Sequence, residues 1–224
     1  MIIAGIVLVL LIVAPAAWIK YVLWRYSTVI EDMPGSGGEL AQHLVERFQL
    51  QGVKVLEGEE GKDHYNSEER VISLSPRVYR GKSLTAVAVA AHEVGHAIQF
   101  VRDEPVSRLR SVYLERVFKI KQLGSILLMA LTTATLVLKI PHLFLLVLCV
   151  GLITMFASVL AYLAILPEEL DASFNKALPI LQDGYVPERH LPVIRKILRA
   201  AAFTYVAGAL LDVLRLWRWI RLLR

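Results

Sequence analysis

His92 and His96 stand four residues apart with Glu93 between them, in AHEVGHAIQF, a stretch otherwise almost wholly apolar. On a helix, residues i and i+4 lie one above the other, so both imidazoles can offer ring nitrogens to one metal ion from the same face. Glu93 is turned by about 100° from His92, which lets its carboxylate reach a water on the metal rather than the metal itself. Zinc lowers the pKa of such a water towards about 7, and a glutamate beside it can take the proton and later hand it to a leaving amine. The spacing therefore encodes a hydrolytic site. The bare pattern arises by chance in on the order of one chain in a hundred, but here it falls on a strongly helical segment. Burying two imidazoles and a carboxylate there without a partner would cost several kcal/mol.

The elements that must position these residues lie in a chain with an unusual excess of apolar residues. Of 224 residues, 56% are hydrophobic and the mean hydropathy is +0.53, more than a soluble core needs. The excess sits in blocks. Ile2 to Ile19 is an uncharged run of 18 residues, near the lower limit for crossing a bilayer core of about 30 Å. Gly124 to Leu138 and Leu143 to Leu166 are separated only by Lys139, Ile140, Pro141 and His142, the pattern of a helical hairpin through the membrane. A fourth block, Ala200 to Leu214, carries Asp212. Ala14-Pro15-Ala16 resembles a signal-peptide cleavage site, but Lys20 and Arg25 follow the first block and no cation precedes it, which favours a retained anchor.

Fifteen of the 25 Lys and Arg residues fall between Lys20 and Lys121, so that segment is expected on the cytoplasmic side. The net charge of +5 then reports membrane orientation. Nucleic-acid binding is excluded as a reading, since no compact basic module with interleaved stacking aromatics is present. The lone Cys149 allows no intrachain disulfide.

Within the long segment, Pro34 to Gly38 reads as a loop, and Leu40, Leu44 and Phe48 recur at helical spacing. Val53 to Leu56 and Val71 to Ser75 read as two strands that could pair as a hairpin around the charged EGEEGKDHYN. Ser83 is a helix N-cap before LTAVAVAAHEVGHAIQFV, a helix apolar all round and hence surrounded by protein or membrane. Gly95 within it suggests close approach of another backbone. Pro105 suits the first turn of the next helix. Glu168 to Leu178 reads as a helix stopping at Pro179, and a last long helix begins near Pro187.

A catalytic zinc normally has three protein ligands and an open position. If the second and third blocks cross and return, PEELDAS, residues 167 to 173, re-emerges on the side of the histidines. Glu168, Glu169 and Asp171 are the candidates for the third ligand, and the site would lie close to the lipid boundary.

The chain resembles the membrane-embedded neutral zinc metallopeptidases, the YugP-like family. DHYNSEERVISLSP, SLTAVAVAAHEVGHAIQ, ELDAS and AAAFTYVAGAL carry the likeness over nearly the whole chain. More remotely it is similar to the HtpX-like and CAAX-processing membrane peptidases, whose E-x-x-A-D pattern completes the site. That pattern puts Glu169 at the ligand, with Glu168 the second choice, and Ser173 where the aspartate would be. Asp171 or Ser173 is then left to orient a zinc histidine. The resemblance also implies a gluzincin-like lobe in which VISLS is an edge strand that aligns extended peptide.

The expected fold is mainly α: a multi-pass membrane protein with a small α+β gluzincin-like peptidase lobe. Residues 1–24 form a transmembrane anchor, 25–121 a cytoplasmic lobe, 122–166 a transmembrane hairpin, and 167–224 the third-ligand helix with a membrane-associated C-terminal helix. The expected activity is that of a zinc endopeptidase of the cell membrane, of bacterial plasma-membrane type, with Glu93 catalytic and His92, His96 and Glu169 on Zn2+. Its substrate would be a peptide or membrane protein, with the lipid bilayer its other partner.

Two other readings compete. A site-2-type intramembrane protease would use Asp212 as ligand, although ALLDVL lacks the glycine of that family's LDG motif. A noncatalytic zinc-stabilised adaptor would not need Glu93. His64 could line the cleft, whereas His43, His142 and His190 read as surface or interfacial residues. Arg215, Arg218, Arg221 and Arg224, with Trp217 and Trp219, read as an interfacial helix.

Overall fold

The computed structural model describes residues 2–138 and 142–211. Lys139, Asp212 and the arginine- and tryptophan-rich tail lie outside them. The structure is mainly helical with one small sheet. Helix α1 (Ile2–Arg25) leads through a loop to α2 (Gly37–Arg47). Three short strands follow, β1 (Lys54–Glu57), β2 (His64–Asn66) and β3 (Val71–Leu74), then the single turn α3 (Pro76–Tyr79) and the histidine helix α4 (Leu84–Val101). Two long helices, α5 (Pro105–Leu138) and α6 (His142–Leu170), come next. A π-helical stretch (Asp171–Ala177), α7 (Leu178–Gln182), a 3-10 turn (Glu188–His190) and α8 (Leu191–Ala202) complete the named elements, and 204–211 are again mostly helical.

The chain divides into two compact units. One gathers the residues up to Ala16, Leu109–Leu166 and those from Tyr205; the other combines Ala17–Arg108 with Pro167–Thr204. In the first unit, α5 and α6 lie side by side. A Cβ on Gly124 would collide with the Thr154 hydroxyl, so the missing side chain permits the close crossing. Thr132, Thr154 and Ser158 return their hydroxyls to carbonyls four residues earlier, which satisfies polar atoms within each helix. Leu123, Met129, Ile153, Phe156 and Leu160 remain exposed, an amount of bare apolar surface that water does not favour.

Among the described residues two helices are long and apolar enough to cross a membrane. The run beginning at Leu145 is mostly uncovered, whereas Leu84–Val101 is 89% buried. Protein, then, surrounds the histidine helix, and length alone does not make it a span.

The second unit is built around α4. Ser83 caps it by accepting from Ala86 N–H at 3.1 Å, as its position before the apolar run suggests. Ser36 and Glu39 form a reciprocal capping box at the start of α2, which buries Leu40, Ala41 and Leu44. On its other sides α4 packs against α8 and the π-helical stretch.

The sheet departs from the hairpin expectation. Its order is β1-β3-β2, with β1 parallel to β3 in the register Val55 to Ile72 and β2 antiparallel to β3, Tyr65 opposite Ile72. The cause is that the charged connection reverses twice, and its DHYN end supplies a third strand too short to show alternation. VISLS is accordingly the central strand, not an edge, and cannot accept an added peptide strand. Two further expectations change. Pro179 does not stop a helix; it sits in the first turn of α7, where a missing N–H costs nothing. The last helix is broken at Phe203.

Candidate metal centre

His92 and His96, one turn apart on α4, are both buried, and so is Glu93 between them. Facing them is the end of α6. Glu169 Oε2 lies 3.2 Å from His92 Nε2 and 3.4 Å from His96 Nε2, and the two Nε2 atoms are 3.2 Å apart. A tetrahedral ion with bonds of about 2.0–2.1 Å separates its ligand atoms by roughly 3.3 Å. All three edges match that spacing, so this donor set could hold one metal ion.

The electrostatics point the same way. Glu93, Glu168 and Glu169 bring three carboxylates into a buried cluster with only two imidazoles. Burial alone would pull His96 down, but the Glu169 charge, hydrogen bonds to Glu168 and Glu169 and the charge of Glu93 push it up to about 10. Burial would likewise raise Glu169; His96 and His92 instead hold it well below the usual carboxylate range. The cluster is short of positive charge, which a divalent cation supplies.

The far side of each ring is also engaged. Ser173 Oγ donates to Leu198 O at 3.1 Å, so it accepts from His92 Nδ1, 3.0 Å away. Gln99 directs its Nε2 at two acceptors, Glu168 O at 3.0 Å and Asp171 Oδ2 at 2.8 Å. Its Oε1 therefore accepts from His96 Nδ1 at 3.1 Å, and Glu168 Oε1 lies 3.4 Å from the same nitrogen. In its neutral form each ring therefore carries its proton on Nδ1 and turns the Nε2 lone pair to the centre, the form a bound cation would select.

Gly95 shows how the two segments come so close. A Cβ there would lie 2.8 Å from Ala172 O and 3.2 Å from Ala172 Cα, so α4 meets the π-helical stretch backbone to backbone. Among the sequence candidates, Glu169 reaches the Nε2 atoms, Glu168 the opposite nitrogen of His96, Ser173 reaches His92, and Asp171 meets Gln99 rather than a ring. His64 and His43 are exposed, and His190 is partly so. Asp212 lies outside the described residues. Sequence reasoning missed Gln99, an amide three residues beyond the pattern, and Asp63. Burial pushes the Asp63 carboxyl up despite its bond from Ser75 N–H, and the Glu93 and Glu60 charges add to the rise. Strand β2 itself packs on α4, with the Tyr65 ring against Phe100.

The profile of the family described as "Putative neutral zinc metallopeptidase" matches residues 1–224. The chain belongs to this family. A protein of Bacillus subtilis (strain 168) described as "Putative membrane protease YugP" is 32% identical over 198 residues, 88% of this chain and 84% of that protein. No solved structure matches. The family's metal is zinc, and the donor chemistry of His92, His96 and Glu169, a group that could hold one ion, suits it.

Proposed function

We propose that the protein is a membrane-bound zinc endopeptidase in which His92, His96 and Glu169 hold the metal and Glu93 is the catalytic base. The observation that carries the reading is the tetrahedral spacing of the three donor atoms beside a buried glutamate on the same helix. Bound zinc supplies Lewis acidity and lowers the pKa of water towards about 7. Glu93 takes a proton from the attacking water and delivers it to the departing amine. Ser173 and Gln99 keep the two rings in the tautomer that leaves Nε2 free.

With β3 enclosed on both sides, extended substrate is placed along the outer edge of β2, which Asp63 introduces beside the charge of Glu93. An added strand there gains main-chain hydrogen bonds without sequence demands. The apolar blocks at 2–19, 124–138 and 143–166 are assigned to the bilayer and the segment rich in cations to the cytoplasmic side. Glu169 follows the last apolar block by three residues in the sequence, which argues for catalysis near the membrane surface. Peptides or membrane-protein segments are the substrate class.

The test is metal content by mass spectrometry on detergent-purified protein, together with cleavage of a peptide library. Wild type and Glu93→Gln should carry near-stoichiometric zinc, and His92→Ala little. Glu93→Gln should lose about 10²–10⁴-fold in cleavage rate. Normal cleavage by Glu93→Gln would overturn the mechanism.

A further inference from the structure

We infer that Gln99 is a positioning residue of the metal centre, the side chain that ties His96 on α4 to the 168–171 segment bearing Glu169. The inference rests on the ligand assignment proposed above and extends it beyond the histidine and glutamate pattern. Gln99 is fully buried and lies one turn after His96, so both side chains share a face of α4. An amide has two N–H donors and one oxygen. Gln99 spends its nitrogen on Glu168 O and Asp171 Oδ2 and its oxygen on His96 Nδ1.

Those three bonds fix the amide plane, and the plane fixes the imidazole. They also hold the backbone immediately before Glu169. Asp171 is anchored in turn: Asn175 Nδ2 donates to it at 2.7 Å, and Lys176 Nζ lies 3.6 Å away while pairing with Glu104 at 2.9 Å. The amide is therefore held from the side away from the metal.

No other residue type fits this arrangement. A glutamate accepts from His96 but cannot donate to either acceptor, and would face Asp171 as a second carboxylate. A leucine fills the space and takes the Gln99 bonds from the buried His96 and Glu168 and from the half-buried Asp171. An asparagine is one methylene too short to span the same partners.

The experiment uses the full-length protein in detergent, with zinc affinity from chelator competition and the visible absorption of the Co2+-substituted form as a report of ligand geometry. Gln99→Glu should bind zinc about 10–100-fold more weakly and alter the Co2+ spectrum. Asp171→Asn in the same chain restores a donor opposite the new carboxylate, so Gln99→Glu/Asp171→Asn should recover about tenfold over the single variant. Wild-type affinity and spectrum in Gln99→Glu, or no recovery in the double variant, overturn the inference while leaving the ligand assignment intact. Should Gln99→Glu not fold, the double variant still decides: regained folding with zinc binding supports the tie, and its failure overturns it. Absence of zinc from the wild type, with metal supplied, would instead overturn the ligand assignment and this inference with it.

Discussion

Glu168 and Glu169 are neighbours, each 1% exposed, yet they meet opposite nitrogens of His96. The consequence is an unequal response to the same substitution. Glu169→Gln removes a charged donor and should abolish near-stoichiometric zinc. Glu168→Gln should keep the metal with an affinity about 10–100-fold lower. Chelator competition on the two variants checks the order, and the reverse result would exchange their roles. The histidine pair was legible because a four-residue spacing is visible in any register. The choice between the two glutamates was not, since it depends on the rotation of α6 about its axis. Asp63 yields a pH prediction. Its native pKa is raised above an unfolded value of about 3.9, so the native state binds more protons and stability falls as pH rises through that window. Asp63→Asn keeps an oxygen for Ser75 N–H but cannot ionise. Thermal unfolding should match wild type near pH 3, with the variant gaining as pH approaches neutrality; a difference independent of pH would remove the argument.

At the scale of elements, the site depends on how α4 meets the π-helical stretch. Asp171 binds Gln99, Ala172 presses on Gly95 and Ser173 reaches His92, so three consecutive residues engage one helix. A π-turn departs from the regular α-helical repeat and is frequent at functional sites. DASFNKA carries no signal of it, because its residues suit an ordinary helix equally well. The small sheet was similarly hidden: β1 and β3 were recognisable from their apolar residues, but the intervening charge run masked β2 and with it the parallel pairing. Gly95, by contrast, announced a close approach that the structure contains. Gly95→Ala should lower stability, since overpacking costs about 1–3 kcal/mol and the helix-propensity gain of about 1 kcal/mol offsets only part. It should also weaken zinc binding by pushing Ser173 away from His92. A variant as stable as wild type, with unchanged zinc affinity, would show that the 2.8 Å approach to Ala172 O is not a real constraint.

For the whole molecule, one compact unit is assembled from Ala17–Arg108 and Pro167–Thr204, segments joined in the chain through the long helices α5 and α6. The proposed ligands His92, His96 and Glu169 come from both segments, so a zinc ion held there would crosslink parts distant in the chain. Removing it with a chelator should lower the unfolding temperature, by the equivalent of about 4 kcal/mol when metal had stood at 1,000 times its dissociation constant. Orientation is the remaining global property, and the cation distribution that argues for a cytoplasmic site also says how to test it. Cys149, the single cysteine, is replaced by serine, and a cysteine is placed at Glu68, an exposed turn residue whose backbone N–H alone bonds to Asn66. A membrane-impermeant maleimide should label Glu68→Cys in inside-out vesicles and after detergent, but not in intact cells. Labelling of intact cells would put the metal centre on the outer face, because Glu68 and the histidine helix belong to the same compact unit, and the substrates to be sought would then be extracytoplasmic.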